Sequence, residues 1–431
     1  MEHTYLGYGT SGSPHWLTLE ERLRHIAVNG KTGYGKSTQL KCVLAQDVAR
    51  GDGLLLLDPT GTLAEEVLAL IPPSRHNQVC YFNIADRDFP VGFNIFADVP
   101  QERRSTLAEQ IVSAFKSIWF DMWGPQLERL LRASSLALLD TPGTSMVDIL
   151  RLYFDPAFRA QVLARCQNPV AVVFFEREFG AWSPEFLDKA VSPVLNKLEA
   201  FLSHDLIRNI LGQSESTLHL EQALARNRIV IVNLSRGAIG DAPASLMGCL
   251  ILARTEAAAL QRDIPTASPF HVHIEEMQNF RSGVIGSMCN QIRKYKVSLL
   301  LVTQDYSSLD DKTRAAITAN ADTTICFRQS PDSAEDMARH FNREHQEFNP
   351  VALQNLNVGE AYFHGGRLYV DPDAYTSPNR KNARKQSRRH YGRQRDKVEP
   401  VITQSLLSLT KPRTDHDNTA RPPKRRRRLE L

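Results

Sequence analysis

No stretch of the chain strings together the ~18 apolar residues that a helix needs to cross a bilayer, although 42% of its 431 residues are hydrophobic. Nor does the segment from Met1 to Arg24 hold the apolar core of a signal peptide. Both absences point to a soluble, cytoplasmic protein with no integral membrane segment, any docking at the inner membrane being left to partner subunits. Cysteine is scarce. Cys42, Cys80, Cys166, Cys249, Cys289 and Cys326 are scattered, with no C-x-x-C pair and no Cys/His cluster at zinc spacing. That excludes a disulfide framework and a zinc module, and the thiols read as buried residues of a reducing compartment. His271 and His273 alternate on one apolar run. A two-histidine metal site is open there, and two histidines on a strand face is the plainer reading.

Neither sign of charge dominates the whole, with 52 Lys and Arg against 48 Asp and Glu. The distribution is uneven. From Arg380 onward there are 17 basic and 5 acidic residues, a net +12, which leaves −8 for residues 1–379. A basic tail on an acidic body looks for nucleic acid or an acidic partner.

Short apolar runs punctuate the chain at His25–Val28, Leu54–Leu57, Val79–Ile84, Ile229–Leu234, Val272–Ile274, Ser298–Val302 and Thr323–Phe327. They read as buried strands. Helical patterns such as Thr38–Arg50 and Leu63–Leu70 separate many of them, which predicts a mainly parallel sheet covered on both faces. Between residues 100 and 225 the alternation stops. Helical spacing recurs at Leu107–Phe115, Leu127–Leu139, Met146–Tyr153 and Val191–Phe201 without an internal repeat. The expected organisation is one α/β domain built from residues 1–99 and 226–378, with an all-helical domain, 100–225, inserted into it. Gly359–Phe363 and Arg367–Val370 flank His364-Gly365-Gly366 as a closing β-hairpin. Residues 379–431 turn polar and basic and predict a disordered tail, with Val401–Leu407 as a short docking helix between its basic clusters.

The strongest motif is Gly30-Lys31-Thr32-Gly33-Tyr34-Gly35-Lys36-Ser37, followed by Thr38. It matches G-x-x-x-x-G-K-[ST] in full, with a strand before it and a helix after it. Its glycines allow a row of N–H groups to turn toward phosphates, and the helix N-terminus adds partial positive charge. Lys36 is placed to reach the β- and γ-phosphates of ATP and Ser37 to ligate Mg²⁺. The run Phe270–Ile274 ends in Glu275-Glu276. Glu275 is assigned to the metal, through water, and Glu276 to activation of the attacking water. Gln304 ends another strand and suits a sensor that bonds both water and γ-phosphate. Arg293, just before that strand, suits an arginine supplied to a neighbouring subunit's site, with Arg328 as the second candidate. Asp58, at the end of Leu54–Leu57, either supports the site or caps the next helix.

In their order and spacing these residues resemble the HerA/FtsK superfamily of DNA-pumping ATPases, and within it the TraG/TraD-type coupling proteins of conjugation and type IV secretion. The resemblance covers roughly Arg24 to Val370. It is carried by the phosphate loop, Leu57-Asp58-Pro59-Thr60-Gly61, Gly92-Phe93-Asn94-Ile95, Ile274-Glu275-Glu276-Met277-Gln278-Asn279-Phe280, Arg293-Lys294-Tyr295 and Leu299-Leu300-Leu301-Val302-Thr303-Gln304. It implies a RecA-like P-loop NTPase fold, Glu276 as catalytic glutamate, Gln304 as sensor, Arg293 as arginine finger, a helical domain at the DNA entry face and a homo-hexamer around DNA. A relaxase or a secretion-channel ATPase is the implied partner. Three features depart from the family. Thr60 and Thr62 stand where its Asp-Pro-His-Gly-Asp has His and Asp, Glu275 stands where it has Asp, and the N-terminal membrane helices of many coupling proteins are not seen.

The expected function is therefore ATP-driven translocation of DNA by a soluble, coupling-protein-like motor. Two other readings stay open. One is a HerA-like processing or packaging motor acting with a nuclease; the other is an adaptor that binds nucleotide without turning it over. The Lys424–Arg428 run also imitates a nuclear-localisation signal, which the prokaryotic character of the rest discounts.

Overall fold

A computed structural model of the chain describes residues 3–281, 283–341, 349–364, 366–371 and 381–408. Eleven strands form one sheet: β1 (Thr4–Gly9), β2 (Pro14–Leu17), β3 (Ile26–Asn29), β4 (Gly53–Asp58), β5 (Val79–Asn83), β6 (Ile229–Asn233), β7 (Phe270–Ile274), β8 (Val297–Thr303), β9 (Thr323–Cys326), β10 (Glu360–Phe363) and β11 (Gly366–Tyr369). Their order is β2-β1-β11-β10-β9-β3-β8-β7-β4-β6-β5. The seven strands from β9 to β5 in that order pair in parallel. The remaining four extend the sheet antiparallel from β9. All seven predicted strands are present, and the predicted hairpin is β10–β11. Gly365, at its turn, lies outside the described residues.

The uninterrupted apolar runs have a direct cause. Strand side chains alternate between faces, and both faces are covered. Leu54 and Leu56 of β4 enter the core beneath the helices Lys36–Arg50 and Thr62–Leu70, while Leu55 and Leu57 enter the core on the opposite face. The second core is shared with the helix Asp241–Ala259 and with the helices from Gln101–Ile118 to Leu220–Ala225. No strand occurs among the residues between β5 and β6.

His271 and His273 both lie on β7 and are buried on the side of the helix Lys36–Arg50. His273 Nε2 is 2.8 Å from Asp47 Oδ2, and His271 Nδ1 is 2.7 Å from Ser298 Oγ. Arg22 meets the same Asp47 oxygen at 2.9 Å, and Arg50 pairs with Asp47 and Asp52. Two arginines already answer the two carboxylates, so the pair belongs to a buried ion network rather than to a cation site. Five of the six cysteines are buried.

The tail departs from expectation. Disorder was predicted from residue 379, but Lys381–Tyr391 and Arg395–Leu407 are helices docked on the body. Ala383, Ser387 and Tyr391 share one face at i, i+4 spacing. Ala383 and Ser387 are buried, and the Ser387 hydroxyl accepts the Tyr81 N–H of edge strand β5 at 2.7 Å. Three of the basic residues that argued for disorder find acidic partners on the body: Arg384 pairs with Glu65, Arg388 with Asp86 and Arg393 with Glu215. Val401–Leu407 is the second half of the Arg395–Leu407 helix, whose Val398 and Ile402 are buried. Residues 409–431, including Lys424–Arg428, lie outside the described residues. No described helix is long and apolar enough to cross a membrane.

Candidate active site

Parallel strands end on a common edge, and the loops there carry the chemistry. β8 lies between β3 and β7, so the loop after β3, the acidic pair after β7 and the glutamine after β8 are neighbours by topology alone. Gly30 leaves β3 at φ 147°, and a Cβ there would lie 2.6 Å from Phe327 Cβ. Only glycine allows that approach. Gly35, at φ 115°, precedes the helix Lys36–Arg50, and no side chain caps the helix. Its first N–H groups are left for a ligand.

A cleft of about 220 Å³ is lined by Thr32, Gly33, Gly35, Lys36, Ser37, Thr38, Glu275, Glu276 and Gln304, together with Val302, Thr303 and Val358. The Ser37 hydroxyl donates to Glu275 Oε1 at 2.7 Å. The Lys36 amine folds back on the Lys31 carbonyl at 2.8 Å. Burial lowers Lys36 to about 8, against the pull of Glu276 and Glu275. Burial raises Glu275 to about 7, and the Asp58 carboxylate beside it adds to the shift. Glu275 Oε2 is buried without a hydrogen-bond partner among the described residues. Two adjacent carboxylates, an open buried oxygen and a serine hydroxyl form the hard-oxygen donor set that suits Mg²⁺.

Glu276 takes the left-handed conformation, φ 48°. Its Oε1 accepts the Gln304 amide at 2.5 Å, and its Oε2 accepts Asn279 Nδ2 at 3.2 Å. Arg236 Nη1 stands 3.7 Å from the same Oε2. Asp58 is fully engaged as a cap. Its Oδ1 accepts the Thr60 N–H and hydroxyl, and its Oδ2 accepts the Ala64 N–H at 2.8 Å.

The other predicted residues sit around or away from this cleft. Lys31 N–H donates to the Arg328 carbonyl at 2.8 Å, and the Arg328 guanidinium lies 5.2 Å from the centre of the Tyr34 ring. Lys31 and Tyr34 thus face Arg328, and Gly30 is buried against Phe327, all outside the cleft lining. Arg293 is not near it. It is exposed in the turn Ile292–Tyr295, before β8, whereas Gln304 follows β8. A seven-residue strand puts ~20 Å between the two ends. Sequence reasoning missed Arg236 and Asn279. The run Ile229–Leu234 could place Arg236 at the same sheet edge, but not beside Glu276.

No protein-family model and no curated protein matches the sequence. Solved structures do. The unbound bacterial conjugative coupling protein TrwBdeltaN70 superposes with a TM-score of 0.64 at 16% identity, over 88% of this chain and 90% of that one. The plasmid coupling protein TrwB in complex with ADP and Mg²⁺ gives 0.64 at 17% identity, over 88% and 92%. VirB4 of Thermoanaerobacter pseudethanolicus gives 0.57 at 15% identity, over 86% and 98%. The chain therefore has the P-loop NTPase fold of these structural neighbours.

Proposed function

We propose that the chain is an ATPase that drives DNA through a ring of its own copies, a coupling-protein-like motor of DNA transfer. The observation that carries the reading is the convergence of Ser37, Glu275, Glu276 and Gln304 on one cleft at the mouth of the phosphate loop. The TrwB complexes with ADP and Mg²⁺ and with a non-hydrolysable ATP analogue support ATP and Mg²⁺ as ligands. Gly30 to Thr38 and the Lys36 amine hold the phosphates. Ser37 and Glu275 hold Mg²⁺, which offsets phosphate charge when bound. Glu276 orients the attacking water and Gln304 reads the nucleotide state. Arg293 reaches the site of an adjoining copy, completing a homo-hexamer. Residues 100–225 act as a helical domain set into an ATPase domain formed by 1–99 and 226–378. DNA contacts fall mainly on phosphates and are salt-sensitive. A relaxase or a secretion-channel ATPase serves as partner in the cytoplasm, at the inner membrane.

Steady-state ATP turnover with and without DNA tests this. DNA should stimulate the wild type. Glu276→Gln should lose ~10²-fold or more in kcat while still binding ATP. Glu276→Gln mixed with Arg293→Ala should regain activity, because each supplies what the other lacks. Wild-type turnover by Glu276→Gln removes the catalytic assignment, and turnover indifferent to DNA removes the motor.

A further inference from the structure

Both oxygens of the Glu276 carboxylate already meet donors. Gln304 holds Oε1 at 2.5 Å, and Asn279 holds Oε2 at 3.2 Å while also bonding the Glu276 carbonyl at 3.0 Å. A general base takes up a proton more readily when its charge is not shared with a cation. These two bonds, with the Arg236 guanidinium 3.7 Å from Oε2, tether the carboxylate and offset its charge, so losing the cation makes it a better base.

Of the three contacts, Arg236 is the one most easily released, because at 3.7 Å it is an ion pair without a hydrogen bond. β6 lies two strands from β7 in the sheet, with β4 between them, so Arg236 reaches Glu276 across the end of β4. Its position is set by the backbone. Ser235 turns at φ 48°, and the Arg236 N–H donates to the Pro59 carbonyl at 2.9 Å. The guanidinium is shared between Glu276, at 3.7 Å, and Asp241, at 3.2 Å. Arg236 is partly exposed and Asp241 almost fully so, while Glu276 is mostly covered, so the tie to Asp241 is weak and reversible, as exposed ion pairs are.

Asp241 begins the helix Asp241–Ala259. Further along that helix, the Ser245 hydroxyl donates to the Asn279 carbonyl, placing the helix against the second donor as well. Near its other end Glu256 accepts from Ser287 Oγ at 2.6 Å and from Gln110 of the helix Gln101–Ile118. The helix Asp241–Ala259 thus touches Arg236, Asn279 and the helical segment between β5 and β6.

Resting on the ATPase reading above, we propose that Arg236 is a positioning residue that holds Glu276 out of action. Displacement of the helical segment by DNA, passed along Asp241–Ala259, frees the carboxylate. The tie raises the ratio of DNA-stimulated to basal turnover and leaves ATP affinity alone.

Arg236→Ala tests this in the full-length chain. Its DNA-independent kcat should rise three- to ten-fold with KM for ATP within two-fold of wild type, and its DNA-saturated kcat should stay near wild type. Arg236→Lys, which keeps a cation in place, should return basal turnover toward the wild-type value. Asp241→Asn, which loosens the tie to the helix, should lower the stimulation ratio without raising KM. Basal kcat in Arg236→Ala at or below wild type overturns the proposal, as does a change in KM alone or an identical rise in Arg236→Lys. If neither wild type nor Arg236→Ala hydrolyses ATP, with or without DNA, the ATPase reading falls too. If the wild type hydrolyses and the variant gains nothing, only the clamp falls.

Discussion

His25 makes the chain acid-sensitive in a way that can be isolated from its other titrating groups. The Leu299 N–H donates to His25 Nδ1 at 3.1 Å, and His25 Nε2 lies 3.3 Å from the Cys289 carbonyl. An amide N–H can only donate, so Nδ1 is bare and Nε2 carries the hydrogen. Protonating Nδ1 destroys the Leu299 bond and puts charge in a fully buried pocket. Burial, with the Arg293 charge as a smaller contribution, lowers His25 from 6.5 to about 4. The folded value lies below the unfolded one, so the neutral ring stabilises the fold. That contribution is complete above pH 6.5 and is lost as pH falls through 4. Between pH 7.5 and 5.0 the loss is ~2 kcal/mol, a gap of ~1.5 units at 1.36 kcal/mol each. Glu275, raised by burial, shifts the other way with acidification, so the raw pH slope of the wild type is a mixture. His25→Gln removes only the titrating ring while keeping a donor and an acceptor. Urea unfolding followed by tryptophan fluorescence at the two pH values gives the double difference. Wild type should lose ~2 kcal/mol more than His25→Gln on acidification. Equal losses would refute the buried neutral histidine.

Ser387→Val should leave the Tyr81 N–H without its acceptor at the edge of the sheet, costing ~1–3 kcal/mol of local stability. Hydrogen exchange in Lys381–Tyr391 should accelerate, and unchanged protection would mean the helix docks by its ion pairs alone. Gly248→Ala would place a Cβ 2.2 Å from Phe280 Cε1, an overpacking worth ~1–3 kcal/mol. A lower Tm is expected, and an unshifted Tm would show that Phe280 can swing aside.

Much of the sheet was legible because seven of its strands are apolar on both faces, as β4 shows with four consecutive buried leucines. β1 and β2 were not legible. Their burial is broken, with Tyr8 and Trp16 exposed, and they join the sheet only through β11, more than 350 residues away in sequence. The tail helices were missed because composition counts charges but not their partners. Glu65, Asp86 and Glu215 are remote in sequence, and nothing near residue 384 announces them. In the cleft, Lys36, Ser37, Glu275, Glu276 and Gln304 could be named because each follows a strand or a glycine turn. Their pairing could not. Arg236 stayed hidden because its approach to Glu276 depends on β4 standing between β6 and β7, an order that no local pattern reports.

The two carboxylates beside Ser37 divide their labour in a way the geometry decides. Asp58 and Glu275 stand side by side, and two buried negative charges in contact repel unless something positive lies between them. Asp58 accepts from the backbone at Thr60 and Ala64 with both oxygens, so it is held by the start of the helix Thr62–Leu70. Glu275 keeps Oε2 open, and its Oε1 reaches Ser37 directly. On the proposed metal assignment, Asp58 would contribute charge and Glu275 the ligand atom. The same pocket drives the Lys36 amine below its ordinary value and bends Glu276 into a left-handed turn, a conformation that costs a non-glycine residue roughly 1–2 kcal/mol. A stable fold avoids such conflicts one at a time. Here three lie within one cleft, and on the proposed assignments a polyanion at Lys36 together with a divalent cation at Glu275 would relieve the two that are electrostatic.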